Sequence, residues 1–330
     1  VLIKDGPFGT EIQNWKLGEA DYAGGLGLAR DQRGNNDILA ITKAEVPEAI
    51  TRAYLDAGAD VIATNTFSAN RISQADYAAE HLVGEINRAS AAIARRCADE
   101  YAARDGRPRF VAGAIGPTNK TLSLSPNVND PGYREVDFDF VSDVYVEQIE
   151  ALVEGGAEIV LIETVFDTLN AKAAIHAARR VDRNLPIMLS MTITDLSGRN
   201  LSGHSIEAFW ASVRHAEPLT IGLNCSFGAA QLRSHVAALS RVADTLIMAY
   251  PNAGLPNDLG EYDEGAETTA AQVRQWCEQG IVNIVGGCCG TTPAHIAAIA
   301  RTVKDYPPRA IAQPTRRTLL AGIEPMILAA

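Results

Sequence analysis

Three ten-residue stretches constrain the fold most: DAGADVIATN at residues 56–65, EGGAEIVLIE at 154–163 and EQGIVNIVGG at 278–287. Each closes an amphipathic segment with a glycine and passes at once into a short apolar run. Glycine accepts the left-handed backbone that stops a helix. An apolar run of this length, bounded by turn signals, reads as a strand buried on both faces. Strand-like runs recur at residues 1–4, 61–65, 110–114, 159–163, 187–191, 220–223, 245–249 and 284–286. Alanine-rich segments of helical period lie between them, among them 46–57, 75–101, 140–154, 168–180 and 229–242. Eight such alternations within residues 1–305 predict an α/β fold of the (β/α)8 TIM-barrel type. An open doubly wound sheet is the rival, but one domain of that kind normally uses fewer strands.

Two regions escape the rhythm. Residues 115–139 are dense in Pro, Asn, Asp and Ser and read as a long loop after the third strand. Residues 306–330 carry YPPRAIAQPTRR and then LLAGIEPMILAA, which reads as a C-terminal linker toward a further module. The opening VLIKDG has neither an initiator Met nor a leader, as expected of a trimmed or internal fragment. A formal net charge of -11 argues against a nucleic-acid or anionic-membrane surface. No run approaches the roughly 18 apolar residues of a spanning helix. Five sparsely placed cysteines point to a reducing cytoplasm.

A barrel of this kind carries its chemistry at the C-terminal ends of its strands. Asp5, Asn65, the 116–119 stretch, Glu163, Cys225, Asn252, Cys288 and Cys289 all fall there. Cys225 follows the sixth strand in GLNCSFG, and Cys288 and Cys289 follow the eighth in VGGCCGTT, so three sulfurs can converge on one point of the rim. Three thiolates at a rim would make an open zinc site, with a fourth position left for water or substrate. Gly286, Gly287 and Gly290 would let both adjacent sulfurs turn toward one ion. Ordinary packing or a redox or nucleophilic role remain alternatives, because the C-x-x-C spacing of structural zinc is absent. Adjacent cysteines also make a strained disulfide. Cys97 and Cys277 lie on helical segments and read as small buried apolar residues.

Other patterns carry less. GGLGLA at residues 24–29 has no preceding strand in a βαβ unit, and the histidines form no H-E-x-x-H. Neither a nucleophile elbow nor a P-loop is present. Asp5 and Glu163 each end an apolar strand, where a carboxylate needs a cation or donors. A clamp on a substrate ammonium and a structural hydrogen bond both answer that need. Backbone N–H groups of GPFGT could hold a matching carboxylate.

The ordered strings DGPFGT, GNNDILAITK, ADVIATNTF, AGAIGPTNKT, LIETVFDTLNAKAA, GLNC, PNAGLPN and VGGCCGTTPAHI cover essentially the whole chain. With them the sequence resembles the zinc-dependent, homocysteine-binding methyltransferase family. It is most similar to the N-terminal homocysteine module of cobalamin-dependent methionine synthases. The resemblance implies zinc on Cys225, Cys288 and Cys289, with Asp5 and Glu163 on the homocysteine amino group. Gly6, Phe8, Gly9 and Thr10 match the loop near the substrate carboxylate, and Asn252 a position that approaches the metal when substrate is absent. Pro7 departs from the family's usual glycine or alanine and has no amide hydrogen to offer. The implied reaction is S-methylation of homocysteine to methionine. Methylcobalamin on another module would be the donor, with cobalamin-binding and folate-binding modules as partners. LAGIEP is similar to the start of the linker to a folate-binding barrel. A free-standing enzyme using S-methylmethionine or betaine, and a non-catalytic zinc- or thiol-binding barrel, are the alternatives.

Overall fold

A computed structural model describes residues 1–313 and 317–328. Eight parallel strands form one sheet: β1 (Leu2–Ile3), β2 (Val61–Ala63), β3 (Phe110–Ile115), β4 (Ile159–Val165), β5 (Ile187–Met191), β6 (Thr220–Gly228), β7 (Leu246–Asn252) and β8 (Ile284–Val285). The order is sequential and β1 pairs with β8. A bridge between Lys4 and Val61, with Asp5 N donating to Val61 O at 3.0 Å, closes β1 onto β2. This is the (β/α)8 barrel expected from the sequence.

The three glycine joints share one geometry. The helices Glu45–Asp56, Phe138–Glu154 and Ala266–Glu278 are followed by Gly58, Gly156 and Gly280 at φ 102°, 106° and 62°. In each, the next amide reaches back to the final helical turn: Ala59 N to Tyr54 O at 3.1 Å, Ala157 N to Leu152 O at 3.0 Å and Ile281 N to Trp276 O at 3.1 Å. Left-handed glycine thus satisfies carbonyls that would otherwise be orphaned and aims the chain into the next strand.

Alternate strand residues fill the barrel interior: Val61 and Ala63, Ala112 and Ala114, Ile159 and Leu161, Met248 and Tyr250. The opposite faces pack beneath the helices in a second, larger apolar layer. Tyr250, a member of this interior cluster, also lines the rim pocket. Among the described residues no helix is long and apolar enough to cross a membrane.

Several boundaries differ from expectation for identifiable reasons. The helix expected over 75–101 begins at Val83, because Ala78 adopts a left-handed φ of 52° and splits off two short 3-10 turns. Strand β6 runs five residues past its expected end, through a register shift between Asn224 and Gly228. Residues 116–137 form the expected long loop, pinned by Asp167, which accepts Leu122 N at 3.0 Å and Ser123 N at 2.8 Å.

Within the 306–330 stretch, Arg309 is buried at the foot of the barrel, donating to Ser240 O, Ala243 O and Thr245 O. Strands β9 (Leu319–Ala321) and β10 (Pro325–Ile327) pair as an antiparallel hairpin. It is fastened to the loop after β5 through Arg199, Glu324 and the Ser205 amide, which donates to Ile323 O at 3.0 Å. Residues 314–316 and 329–330 of that stretch lie outside the described residues.

Candidate active site

Cys225, Cys288 and Cys289 meet at the C-terminal rim, their sulfurs all within 4.8 Å of one another. Cys225 Sγ and Cys289 Sγ are 3.9 Å apart. Strand β6 reaches this point through two consecutive left-handed residues, Cys225 at φ 64° and Ser226 at φ 62°. Non-glycine residues in that region cost on the order of 1–3 kcal/mol each and persist where the surroundings dictate them. The bulge swings Cys225 off the strand's alternation and toward β8. Cys288 and Cys289 are held by the end of β7 and the residue after it: Cys288 N donates to Pro251 O at 2.7 Å, and Ala253 N donates to Cys289 O at 3.0 Å.

The glycines around them serve a different purpose from the one expected. Only Gly290 has a positive φ, 77°. Gly286 and Gly287 are required by close approach instead. A Cβ on Gly286 would stand 2.8 Å from Lys4 O, and one on Gly287 would stand 2.1 Å from Thr291 Oγ1. Thr291 in turn donates to Cys288 O at 2.8 Å, which fixes the cysteine turn.

Three thiolates this close would repel one another strongly. The cluster answers by sharing protons. Cys225 is held well below the usual thiol range by hydrogen bonds from Cys288 and Cys289, and those two are pushed up. Asn252 also bonds to the Cys225 sulfur, while its Oδ1, deeply buried, has no partner among the described residues. Three converging sulfurs and a buried orphan oxygen beside them fit a soft divalent ion.

A pocket of about 720 Å3 opens from the cluster across the rim. It is lined by Gly6, Pro7, Phe8, Gly9, Thr10, Glu163 and all three cysteines. Glu163 accepts the Tyr250 hydroxyl at 2.9 Å. Burial raises its pKa, opposed by Lys4 and by that hydrogen bond. Pro7 precedes the Phe8–Gln13 helix and accepts Tyr54 Oη–H at 2.8 Å through its carbonyl. Asp5 and Asn252 do not line the pocket; they are 1% and 2% exposed. Cys97 and Cys277 are buried on the Val83–Asp105 and Ala266–Glu278 helices, remote in role from the cluster.

Sequence reasoning missed two neighbours of the site. Lys4 lines the pocket, its Nζ 4.6 Å from the centroid of the Tyr250 ring, although it closes a strand that reads as uniformly apolar. Asn224 joins β4, β5 and β6, receiving Ser190 Oγ–H at 2.6 Å and directing Nδ2 at Cys288 Sγ, 3.7 Å away. The signals were a lone cation ending VLIK and a lone amide in GLNC.

A sequence model described as homocysteine S-methyltransferase matches residues 2–303. The chain belongs to the homocysteine S-methyltransferase family. It is therefore a methyltransferase by family, built on the barrel described above. The fold is similar to that of the homocysteine methyltransferase MmuM from Escherichia coli. In the oxidised form of that protein the TM-score is 0.73 at 19% identity, covering 91% of this chain and 95% of that one. In the metallated form it is 0.72 at 20% identity, covering 91% and 96%.

Proposed function

We propose that the barrel binds zinc through Cys225, Cys288 and Cys289 and presents homocysteine as a thiolate for methylation to methionine. The observation that carries this reading is the meeting of three sulfurs from β6 and β8 at the edge of a pocket that also holds Glu163. Zinc, when bound, supplies a fourth position at which a thiol gives up its proton near neutral pH. A free thiol, with a pKa near 8.5, is mostly protonated there. Three cysteine thiolates outweigh the charge of a divalent ion by one, which keeps the site electron-rich and the substrate sulfur nucleophilic. Glu163 offers a carboxylate to the substrate ammonium. The Phe8–Thr10 stretch forms the pocket wall beside it, and Asn252 Oδ1 is the reserve donor when no thiol is present. The sulfur would then attack the methyl carbon in line, forming the S–C bond as the carrier–methyl bond breaks and the carrier leaves with its electron pair.

Methylcobalamin on another module, within a chain that also holds a folate-binding module, is the donor we favour, on the strings GNNDILAITK and ETVFDTLNAKAA. We propose the cytoplasm as the compartment. A second reading has a specific support: this chain covers 95% of MmuM, so a barrel of this extent is nearly all of that chain. In that reading the enzyme stands alone and takes its methyl group from S-methylmethionine or betaine.

Zinc content, with X-ray absorption at the zinc edge before and after homocysteine, tests the core of the proposal. One zinc per chain and a new sulfur ligand on adding homocysteine are expected. A reduced sample that refuses zinc would overturn it. Methyl transfer from free methylcobalamin, compared with S-methylmethionine and betaine, separates the donors, and activity with betaine alone would reverse our choice.

A further inference from the structure

Two residues of opposite charge, Lys4 and Glu163, line the pocket together with the three cysteines. Lys4 is 3% exposed. Its Nζ donates to Asp5 Oδ1 at 2.8 Å and lies 4.6 Å from the centroid of the Tyr250 ring. Burial pulls the Lys4 pKa down, but the Asp5 and Glu163 carboxylates more than offset it, so the group stays a cation. Asp5, by contrast, is committed to the protein. Its second oxygen accepts Ala63 N at 2.7 Å, and it does not reach the pocket.

An ammonium has three donors, and the bond to Asp5 uses one of them. Glu163 keeps Oε1 without a hydrogen bond among the described residues, since the Tyr250 hydroxyl goes to Oε2. Pro7, which also lines the pocket, brings no N–H to it. An amino group placed against Lys4 would meet a like charge; a carboxylate would meet an opposite one.

We infer that Lys4 is a specificity-determining residue that reads the α-carboxylate of the amino-acid thiol, while Glu163 reads its ammonium. The inference rests on the thiol-activating function proposed above and names how the thiol is recognised. Asp5, whose Oδ1 accepts the Lys4 ammonium at 2.8 Å, is the anion that keeps this buried cation in place. Lys4 and Glu163 together form a plus–minus pair matched to a zwitterion, and the sulfur end of the ligand points to the cysteines.

Calorimetry with the intact, zinc-loaded protein tests this with two thiols, homocysteine and homocysteine carboxamide, the second carrying a neutral amide of similar size in place of the carboxylate. The wild-type protein is expected to prefer homocysteine by roughly ten- to a hundredfold, the range for a hydrogen bond to a charged group. Lys4→Met should bind the two thiols alike. A Lys4→Met/Asp5→Asn double variant, which removes both members of the directly bonded pair, should do the same. A purely structural Lys4 would change affinity for both thiols equally and leave their ratio intact, and that result would overturn the assignment. Equal binding of both thiols by the wild-type protein would overturn it as well, with thiol activation untouched. Binding of neither thiol would overturn the proposed function and this inference together.

Discussion

Asn224 and Thr164 bind each other twice across the rim: Thr164 N donates to Asn224 Oδ1 at 3.1 Å, and Asn224 Nδ2 donates to Thr164 Oγ1 at 2.9 Å. Thr164 follows Glu163 in a left-handed φ of 58°, and Asn224 precedes Cys225, so one pair of amides ties the carboxylate's bulge to the cysteine's bulge. Asn224→Ala would strand the Thr164 amide and the Ser190 hydroxyl, each unmet donor costing about 1–3 kcal/mol. We predict a loss of roughly 2–4 kcal/mol in chemical denaturation and a weakened affinity for homocysteine, on the same principle. Wild-type stability and affinity in this variant would contradict the coupling.

The cysteine cluster should behave as a removable feature. Cys288 packs only at the edge of the interior apolar group. Cys288→Ala is expected to abolish zinc binding while leaving the far-ultraviolet circular dichroism and a cooperative unfolding transition in place. Metal analysis and a thermal melt check this, and global unfolding would refute it.

Gly287→Ala introduces a Cβ where Thr291 Oγ1 already stands, at 2.1 Å. Overpacking of this sort costs about 1–3 kcal/mol and shifts the cysteine turn. Zinc occupancy and melting temperature should both fall. A variant that keeps full zinc would mean the turn can yield.

Asp37, from the GNND string, lines the pocket yet is 5% exposed. Burial pushes its carboxyl up to about 7, against the hydrogen bond from Ser68 N. The folded protein therefore keeps a proton that the unfolded chain releases near pH 4. The stability linked to that proton is fully present below about pH 4 and is lost as pH rises through about 7. At roughly 1.4 kcal/mol per pKa unit this amounts to about 4 kcal/mol. Asp37→Asn should match the wild type near pH 4 and melt at a higher temperature near pH 8. A constant difference across that window would sink the prediction.

The parts of the fold written in local chemistry were legible beforehand. The glycine joints specify their own backbone, and the helix Ala229–Val242 and strand β5 begin and end where periodicity places them. Strand order brings Cys225, Cys288 and Cys289 to one rim, and the left-handed bulge of β6 completes their approach. The rest depended on neighbours distant in sequence. Nothing in VLIK says that Lys4 folds inward, because its partner Tyr250 is supplied by β7. Nothing in GLNCSFG announces two left-handed residues without glycine. That conformation is imposed by Asn224 and by the resumption of pairing at Gly228 with Asn252.

At the foot of the barrel, Asn283 takes part in two bonds that draw distant segments together. Its carbonyl receives the Leu2 amide at 3.0 Å, and its side-chain amide reaches Arg309 O at 2.8 Å. The first strand and the stretch that leaves the last helix are thus spatial neighbours. Splicing Arg309 to Leu2 through a short linker, and reopening the backbone in the exposed 126–132 loop, should preserve every strand pairing of the barrel. The order in which the eight units are joined is then a convenience of synthesis, and the ring itself has no start.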